Sequence, residues 1–147
     1  MAIAAHDAAD RVDQLIVLTQ RLTELIALEA AAFEQRRPHE AAKYMEETSR
    51  LANLYRHESA RVRADPRLVK EAPAAQRAAL TRATEAFDAV LARQGRAIEA
   101  ARTVTEGLVR AIAEEVSAQR SETAGYGAAG ARSAGTPPTA IAFNQRA

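Results

Sequence analysis

Three histidines are the residues of this chain best suited to metal binding or acid–base chemistry, and their spacing supports neither role. His39 and Glu40 begin like the helix of a zinc protease, but Lys43 stands where that motif needs its second histidine. None of His6, His39 and His57 follows a glutamate by three residues, so the paired Glu-x-x-His motif of di-iron bundles is absent as well. We therefore expect solvated histidines on helix faces and no metal.

A glycine pattern typical of dinucleotide-binding loops occurs at residues 125–130, where the sequence reads Gly-Tyr-Gly-Ala-Ala-Gly. That pattern binds a pyrophosphate only when a strand enters it and a helix leaves it. Here a helical pattern enters and a segment rich in glycine and proline leaves, so the match is coincidental. The carboxylates stand singly or in exposed pairs, and the chain has no cysteine to act as a nucleophile. We expect no enzyme activity and no cofactor.

Composition favours an all-α protein with a thin core. Of the 147 residues 48% are hydrophobic and only 4% are aromatic, and much of the hydrophobic content is alanine. Alanine is the best helix former but buries little area per residue, so we expect an elongated helical bundle with few large core side chains. The net charge of +1 is too small for a sequence-independent nucleic-acid binder.

The first residues do not resemble an export signal or a membrane anchor. Acidic residues stand where a signal peptide would carry lysine or arginine, and no apolar core follows them. No apolar run approaches the 18 or so residues that a membrane span requires. We therefore expect a cytoplasmic protein with no membrane insertion.

Hydrophobic periodicity predicts a single helical domain over residues 1–121 that contains three long helices, at about 8–36, 38–63 and 73–121. The first helix carries its seam at steps of three and four residues: Leu15, Leu18, Leu22, Leu25, Glu29 and Ala32. The second helix has a more polar and more aromatic face: Ala41, Tyr44, Met45, Thr48, Leu51, Leu54, Tyr55 and Val62. Short connections at Pro38 and at Asp65–Pro66 predict an antiparallel three-helix bundle or coiled coil, with Leu22 and Leu25 packed against Leu51 and Leu54.

The third predicted helix is too long for the hairpin that precedes it. At 1.5 Å per residue it would span about 70 Å, whereas each earlier helix would span about 40 Å. Its predicted seam is Leu80, Thr84, Phe87, Leu91, Ile98, Ala101, Thr105, Leu108 and Ile112. The part of this helix beyond the hairpin has apolar residues that must be buried against another helix. We predict that it binds a client helix through Ile98, Val104, Thr105, Leu108, Ile112 and Val116. The alternative is that a second copy of the chain buries them.

The last segment, residues 122–147, is predicted to be a flexible tail because its glycines and prolines interrupt any helical pattern. Two apolar side chains, Ile141 and Phe143, return near its end, and Tyr126 lies at the predicted helix exit. A flexible linker that ends in a short apolar stretch is a common layout for a docking peptide. A terminus without a partner is the alternative.

Two features of the sequence allow more than one interpretation. Glu29 occupies a seam position, where it either extends to solvent or holds a buried partner such as an arginine or tyrosine of a neighbouring helix. The region from Arg50 to Arg82 is locally basic. It is either the solvated end of a hairpin or a surface for an acidic partner.

The segment from Leu22 to Leu54 resembles the FlgN family of flagellar export chaperones. The resemblance lies in Leu22-x-x-Leu25-Ile26-x-x-Glu29-x-x-x-Phe33, a short polar break, and a second helix that carries Leu51 and Leu54. The chain length, the long last helix and the Tyr126–Gly127 dipeptide of the small-residue tail are similar as well.

The resemblance implies a cytoplasmic chaperone of the flagellar type III export system. Such chaperones bind the terminal helices of the hook–filament junction proteins, which are hook-associated proteins, and deliver them to the export gate. On this interpretation Tyr126, Ile141 and Phe143 would contact the export apparatus. The alternative function is a homodimeric coiled-coil module, structural or regulatory, that has no secreted client.

Overall fold

The structure is a computed structural model that describes residues 2–130, with the backbone alone for residues 126–130. Its regular elements are all helices: α1 Ala8–Glu34, α2 Pro38–Ala64, α3 Arg67–Lys70 and α4 Ala74–Gly130. The all-α fold predicted from the sequence is confirmed. The chain divides into two compact units, Met1–Thr105 and Glu106–Ala147.

Local sequence explains where α1 begins and where the chain turns from α1 into α2. The Asp7 carboxylate caps the start of α1 by accepting a hydrogen bond of 2.8 Å from the Asp10 backbone N–H. After Glu34 the chain turns at Arg36, whose φ of 59° is left-handed and cannot continue a helix. Pro38 then occupies the first position of α2, where its missing N–H costs nothing.

Helix α4 begins at Ala74, next to the predicted start, but continues through Gly130 instead of ending near residue 121. Alanines at 124, 128 and 129 have the highest helix propensity and offset the nearby glycines, which had suggested an earlier end. The rest of the predicted flexible tail, residues 131–147, lies outside the described residues.

Side-chain pairs in the first unit give the direction of each helix. Arg11 of α1 pairs with Glu58 of α2, whereas Arg21, further along α1, pairs with Glu47, earlier in α2. The two helices therefore run antiparallel, as a short connection requires.

Helix α4 returns alongside α1 in the same direction. Gln76 donates to Asp13 at 2.9 Å, and Gln94 donates to Glu29 at 2.6 Å, so residue numbers rise together along both helices. The short helix α3 makes the crossover between α2 and α4. The first unit is therefore an up–down–up bundle of α1, α2 and the first part of α4.

The core forms where α1 contacts both of its neighbours. Its fully packed centre consists of Leu18, Leu22, Ile26 and Phe87. Half-buried side chains of α2 and α4 complete it: Leu51, Leu54, Tyr55 and Val90, together with Ala52 and Ile3. The rings of Tyr55 and Phe87 lie 5.0 Å apart at a tilt of 50°, a favourable arrangement for two aromatic side chains. Leu51 and Leu54 pack against the cluster that contains Leu22, as the prediction requires, and Leu25 is buried as predicted.

The predicted seam of α1 is buried at all six positions, and the predicted seam of α4 is partly wrong. In α4 the buried and half-buried residues are Gln76, Ala79, Leu80, Ala83, Thr84, Phe87, Val90, Arg93, Gln94, Ala97 and Ala101. Leu91 and Ile98, which the sequence pattern placed in the seam, are exposed. Ala83 and Ala97 are buried on this face instead. Met45 of α2, also predicted to pack inward, is exposed.

Glu29 is buried and joins three helices. One carboxylate oxygen accepts a hydrogen bond of 2.6 Å from the Thr48 hydroxyl of α2, and the other accepts one of 2.6 Å from the Gln94 amide of α4. Of the two interpretations of the sequence, burial with a partner is therefore the one observed. The partners are a threonine and a glutamine, not the arginine or tyrosine suggested by the sequence.

Glu58 is the most completely buried charged residue of the described part of the chain, with no exposed side-chain surface. One oxygen accepts from the Ile3 backbone N–H at 2.9 Å and from Arg61 at 3.2 Å, and the other accepts from Arg11 at 3.0 Å. Burial alone would raise the pKa of Glu58. These hydrogen bonds, with the charges of Arg61 and Arg11, outweigh that effect and hold the pKa below its ordinary value.

The core position of Leu25 can be tested by truncation. Leu25→Ala removes a fully buried side chain and should lower the free energy of unfolding by roughly 2–5 kcal/mol. Leu28→Ala is the matched control, since Leu28 lies three residues further on the same helix and is exposed. Urea unfolding followed by circular dichroism measures both. Equal effects of the two substitutions would contradict the packing described.

A substitution at Gly95 should stabilise the protein, in contrast to Leu25→Ala. This glycine lies inside α4 with helical backbone, and a Cβ built at this position meets no atom within 4 Å. Gly95→Ala should therefore raise the free energy of unfolding by about 0.5–1 kcal/mol, because alanine restricts the unfolded chain and fits the helix. A loss of stability in thermal unfolding would show that the position does not face open space.

The Glu58 cluster predicts a pH-dependent difference between variant and wild type. Because the folded-state pKa of Glu58 is lowered, its contribution to stability is present above the unfolded-state value of about 4.3 and is lost as the pH falls through the folded-state value. Glu58→Gln should cost roughly 3–5 kcal/mol at pH 7, since it leaves Arg11 buried without a counter-ion.

Urea unfolding at pH 7 and at pH 3.5 measures this difference, which should shrink at the lower pH. Glu24→Gln, at an exposed carboxylate of α1, should change stability little at either pH. A Glu58→Gln effect of the same size at both values would rule out a role for the ionised carboxylate.

Candidate partner-binding surface

The second unit carries an uncovered apolar face on α4. Four large aliphatic side chains are about half exposed there: Leu108 at 60%, Val109 at 61%, Ile112 at 55% and Val116 at 42%. We call these four residues the apolar stripe. Single exposed aliphatic residues are ordinary, but a contiguous group of them on one face is typical of a binding surface.

Helix geometry places the four side chains together. Leu108, Ile112 and Val116 follow one another at steps of four residues, and Val109 precedes Ile112 by three. Residues three and four apart are neighbours on a helix surface, so the stripe is continuous along about two turns. A face of this kind packs against the apolar side of another helix.

The sequence reasoning located three of these four residues and missed Val109. The spacing of Val109 did indicate this face, since it lies four residues after Thr105 and three before Ile112. It was missed because the predicted seam passed through Leu108 at that turn. Both side chains are exposed, so the face is wider than a strict seam.

The other three predicted client-binding residues belong to the first unit. Ile98 and Val104 are exposed, at 43% and 55%. Thr105 is exposed too, and its hydroxyl donates a hydrogen bond of 3.0 Å to the Ala101 carbonyl of its own helix. Each of the six predicted residues is therefore accessible to a partner, and whether one binds there stays a prediction.

The residues predicted to contact the export gate are beyond what the structure describes in detail. Tyr126 lies within α4, but its side chain is outside the described residues, and so are Ile141 and Phe143. Their role stays a prediction.

The edges of the apolar stripe carry opposite charges. Glu115 lies on one edge, where its carboxylate accepts a hydrogen bond of 3.1 Å from the Gln119 amide. Arg120 lies on the other edge and is exposed. A helical wheel at 100° per residue separates these two positions by about 140°, with Ile112 and Val116 between them.

An apolar groove on the first unit is a second candidate surface. It encloses about 480 Å³ between α1 and α2, and its apolar lining comes from Ile3, Val17, Leu18, Leu51 and Leu54. The ion pair between Arg21 and Glu47, at 2.9 Å, lies on its rim. The hydrogen bond from Arg21 lowers the pKa of the Glu47 carboxyl, so this pair stays ionised at neutral pH.

Neither the histidines nor the basic region forms a recognisable reactive site. His6, His39 and His57 are exposed, and no group of three metal-binding side chains occurs within the described residues. In the basic region Arg61 binds Glu58, and Arg67 pairs with Asp65 at 3.0 Å. These contacts assign a structural role to part of the basic region.

The helices of the described residues include none that is both long and apolar enough to cross a membrane. The stripe of α4 is flanked by charged and small residues, so its apolar surface covers only part of the helix circumference.

Comparison with known proteins gives a relative and no fold template. No family model matches the chain, and no solved structure matches it. Membership of the FlgN family is therefore not confirmed. Over 131 residues the chain is 68% identical to the flagellar basal-body protein FlbY of Caulobacter vibrioides, and the match covers 88% of either protein. This identity and coverage show that the chain belongs to the family of the flagellar basal-body protein FlbY.

Proposed function

We propose that this protein is a cytoplasmic flagellar export chaperone. It would hold a terminal helix of a hook-associated protein against α4 and deliver that client to the type III export gate. The observation that carries the proposal is the uncovered apolar stripe of α4, in a chain whose relative is a flagellar protein.

The stripe has the dimensions that a client helix needs. An amphipathic helix presents anchors at steps of three and four residues, and the stripe offers matching apolar positions over about two turns. Burying one leucine, isoleucine or valine contributes roughly 1.5–3 kcal/mol, whereas association itself costs about 4–15 kcal/mol. Four side chains alone would therefore bind a client helix weakly.

A chaperone of this kind must stay folded while its binding face is empty. The first unit has its own core around Leu22 and Phe87, and none of the four stripe residues belongs to that core. Loss of the client would therefore leave the bundle intact, which suits a protein that binds and releases repeatedly.

Delivery to the export gate requires a second contact that stays available while the client is held. We assign this contact to Tyr126, Ile141 and Phe143, which follow the stripe in the chain. The assignment rests on the resemblance to the FlgN family and on the return of apolar residues after the glycines and prolines.

The name of the relative favours a second candidate function, a component of the basal body itself. In that case the stripe would bind a neighbouring basal-body protein permanently. Purified basal bodies distinguish the two functions, because a chaperone is absent from them and a component is retained in fixed proportion.

The chaperone proposal predicts that charges in the stripe abolish client binding. Leu108→Asp combined with Ile112→Asp should weaken the affinity for a purified hook-associated protein at least about 100-fold, since two apolar anchors are lost. Isothermal titration calorimetry measures the affinity, and circular dichroism checks that the variant stays helical.

Ser117→Asp combined with Ser121→Asp is the matched control. These serines have the same spacing on the opposite face of α4, so the pair adds the same charge without touching the stripe. Client affinity that is unchanged in the leucine–isoleucine variant, or lost equally in the serine variant, would refute the assignment of the stripe.

A further inference from the structure

One face of α4 in the second unit follows the heptad pattern of a two-helix seam. At alternating steps of three and four residues it presents Val109, Ile112, Val116, Gln119 and Thr123, all of which are exposed. In heptad terms the two valines and the threonine occupy a positions, and Ile112 and Gln119 occupy d positions. Polar residues within a seam fix its register at a cost in stability. Here Gln119 at d and Thr123 at a are the polar seam residues.

The charged edges of the same face are complementary to those of an identical copy. In a parallel pair of helices, a residue at g lies beside the e residue five positions further along the partner. Glu115 is at g and Arg120 is at e, five residues later. Two-fold symmetry repeats the contact, so a parallel pair would contain two Glu115–Arg120 ion pairs.

An antiparallel pair fits this face less well. It would bring Glu106 opposite Arg120, but it would also bring the two copies of Glu115 opposite each other. It would set Gln119 against Val109, so that the amide of Gln119 meets an apolar side chain of the other copy and keeps only its bond to Glu115 of its own helix. In the parallel pair Gln119 meets its own copy, and two amides can hydrogen-bond to each other.

We infer that two copies of this chain pair in parallel and in register through residues 106–123 of α4. The pairing covers Val109, Ile112 and Val116, which are part of the apolar stripe. It does not depend on the proposed chaperone function. If that function also holds, a client helix and the second copy compete for the same face, and the unloaded protein protects its apolar surface by self-association.

Disulfide trapping tests the geometry directly, because the chain has no cysteine of its own. Gln119→Cys places a thiol at a seam position, where the two copies of a parallel pair lie within disulfide distance. Under a mild oxidant and without any client, the full chain should convert to a covalent dimer. Ser121→Cys, on the opposite face, should form little covalent dimer.

Equal trapping of Gln119→Cys and Ser121→Cys would show random collision and would overturn the inference. Absence of a Gln119→Cys dimer would overturn it as well, provided that the thiol reacts with a soluble maleimide. Client binding is measured separately, so either result leaves the chaperone proposal to its own test.

Charge reversal tests the ion pairs. Glu115→Arg and Arg120→Glu should each weaken dimerisation about ten- to thirtyfold, because each replaces two attractive contacts by two repulsive ones. The double reversal should restore the wild-type value to within about threefold. Sedimentation equilibrium of the full chain over a range of concentrations measures these constants.

Glu114→Arg is the control, since Glu114 is exposed and lies away from the seam. A double reversal as weak as either single variant would overturn the parallel register. Wild-type protein that is monomeric at all concentrations would overturn the pairing itself.

Discussion

The arrangement of the bundle depends on one buried carboxylate. Glu29 of α1 accepts hydrogen bonds of 2.6 Å from Thr48 of α2 and from Gln94 of α4, so a single side chain ties all three long helices of the first unit together. A buried charge without partners costs several kcal/mol, and sliding any helix by one turn would remove a partner. The core has much alanine and few aromatics, so these directional contacts add to apolar packing in fixing the register.

The Glu58 cluster is a second set of polar contacts, which joins α1 and α2 but not α4. It joins α1 through Arg11, α2 through Arg61, and the segment before α1 through the Ile3 backbone. Leu18, Leu22, Ile26 and Phe87 fill the space between the two polar contacts. The bundle is consequently specified by a few directional bonds and stabilised by a small apolar core. The large apolar residues of the stripe lie outside this core and are exposed.

Sequence patterns predicted α1 well because its seam residues are large and regularly spaced. All six positions from Leu15 to Ala32 are buried, including the glutamate. The same reasoning failed in the middle of α4, where Leu91 and Ile98 are exposed although they are more hydrophobic than Gln94 and Ala97, which face inward. Hydrophobic periodicity gives alanine little weight. Which alanines are buried depends on the neighbouring helices and cannot be read from one helix alone.

The contacts that set the register were mostly beyond prediction. Arg11 and Glu58 are 47 residues apart, and no local pattern links them. The sequence showed that Glu29 is unusual at a seam position. It did not identify the hydrogen-bond partners of Glu29, because these depend on how the three helices are aligned with one another. The apolar stripe, by contrast, was largely visible in the sequence, since three of its four residues follow a helical step. What binds there depends on a surface that belongs to another molecule.

The central claim is that the apolar stripe of α4 is where a flagellar partner helix binds. Hydrogen–deuterium exchange tests it most directly, on dilute wild-type protein with and without a saturating amount of a purified hook-associated protein. Our interpretation predicts that amide exchange slows across residues 106–123 when the client is added and is unchanged in the core of α1. Slower exchange confined to the groove between α1 and α2, with residues 106–123 unaffected, would contradict it.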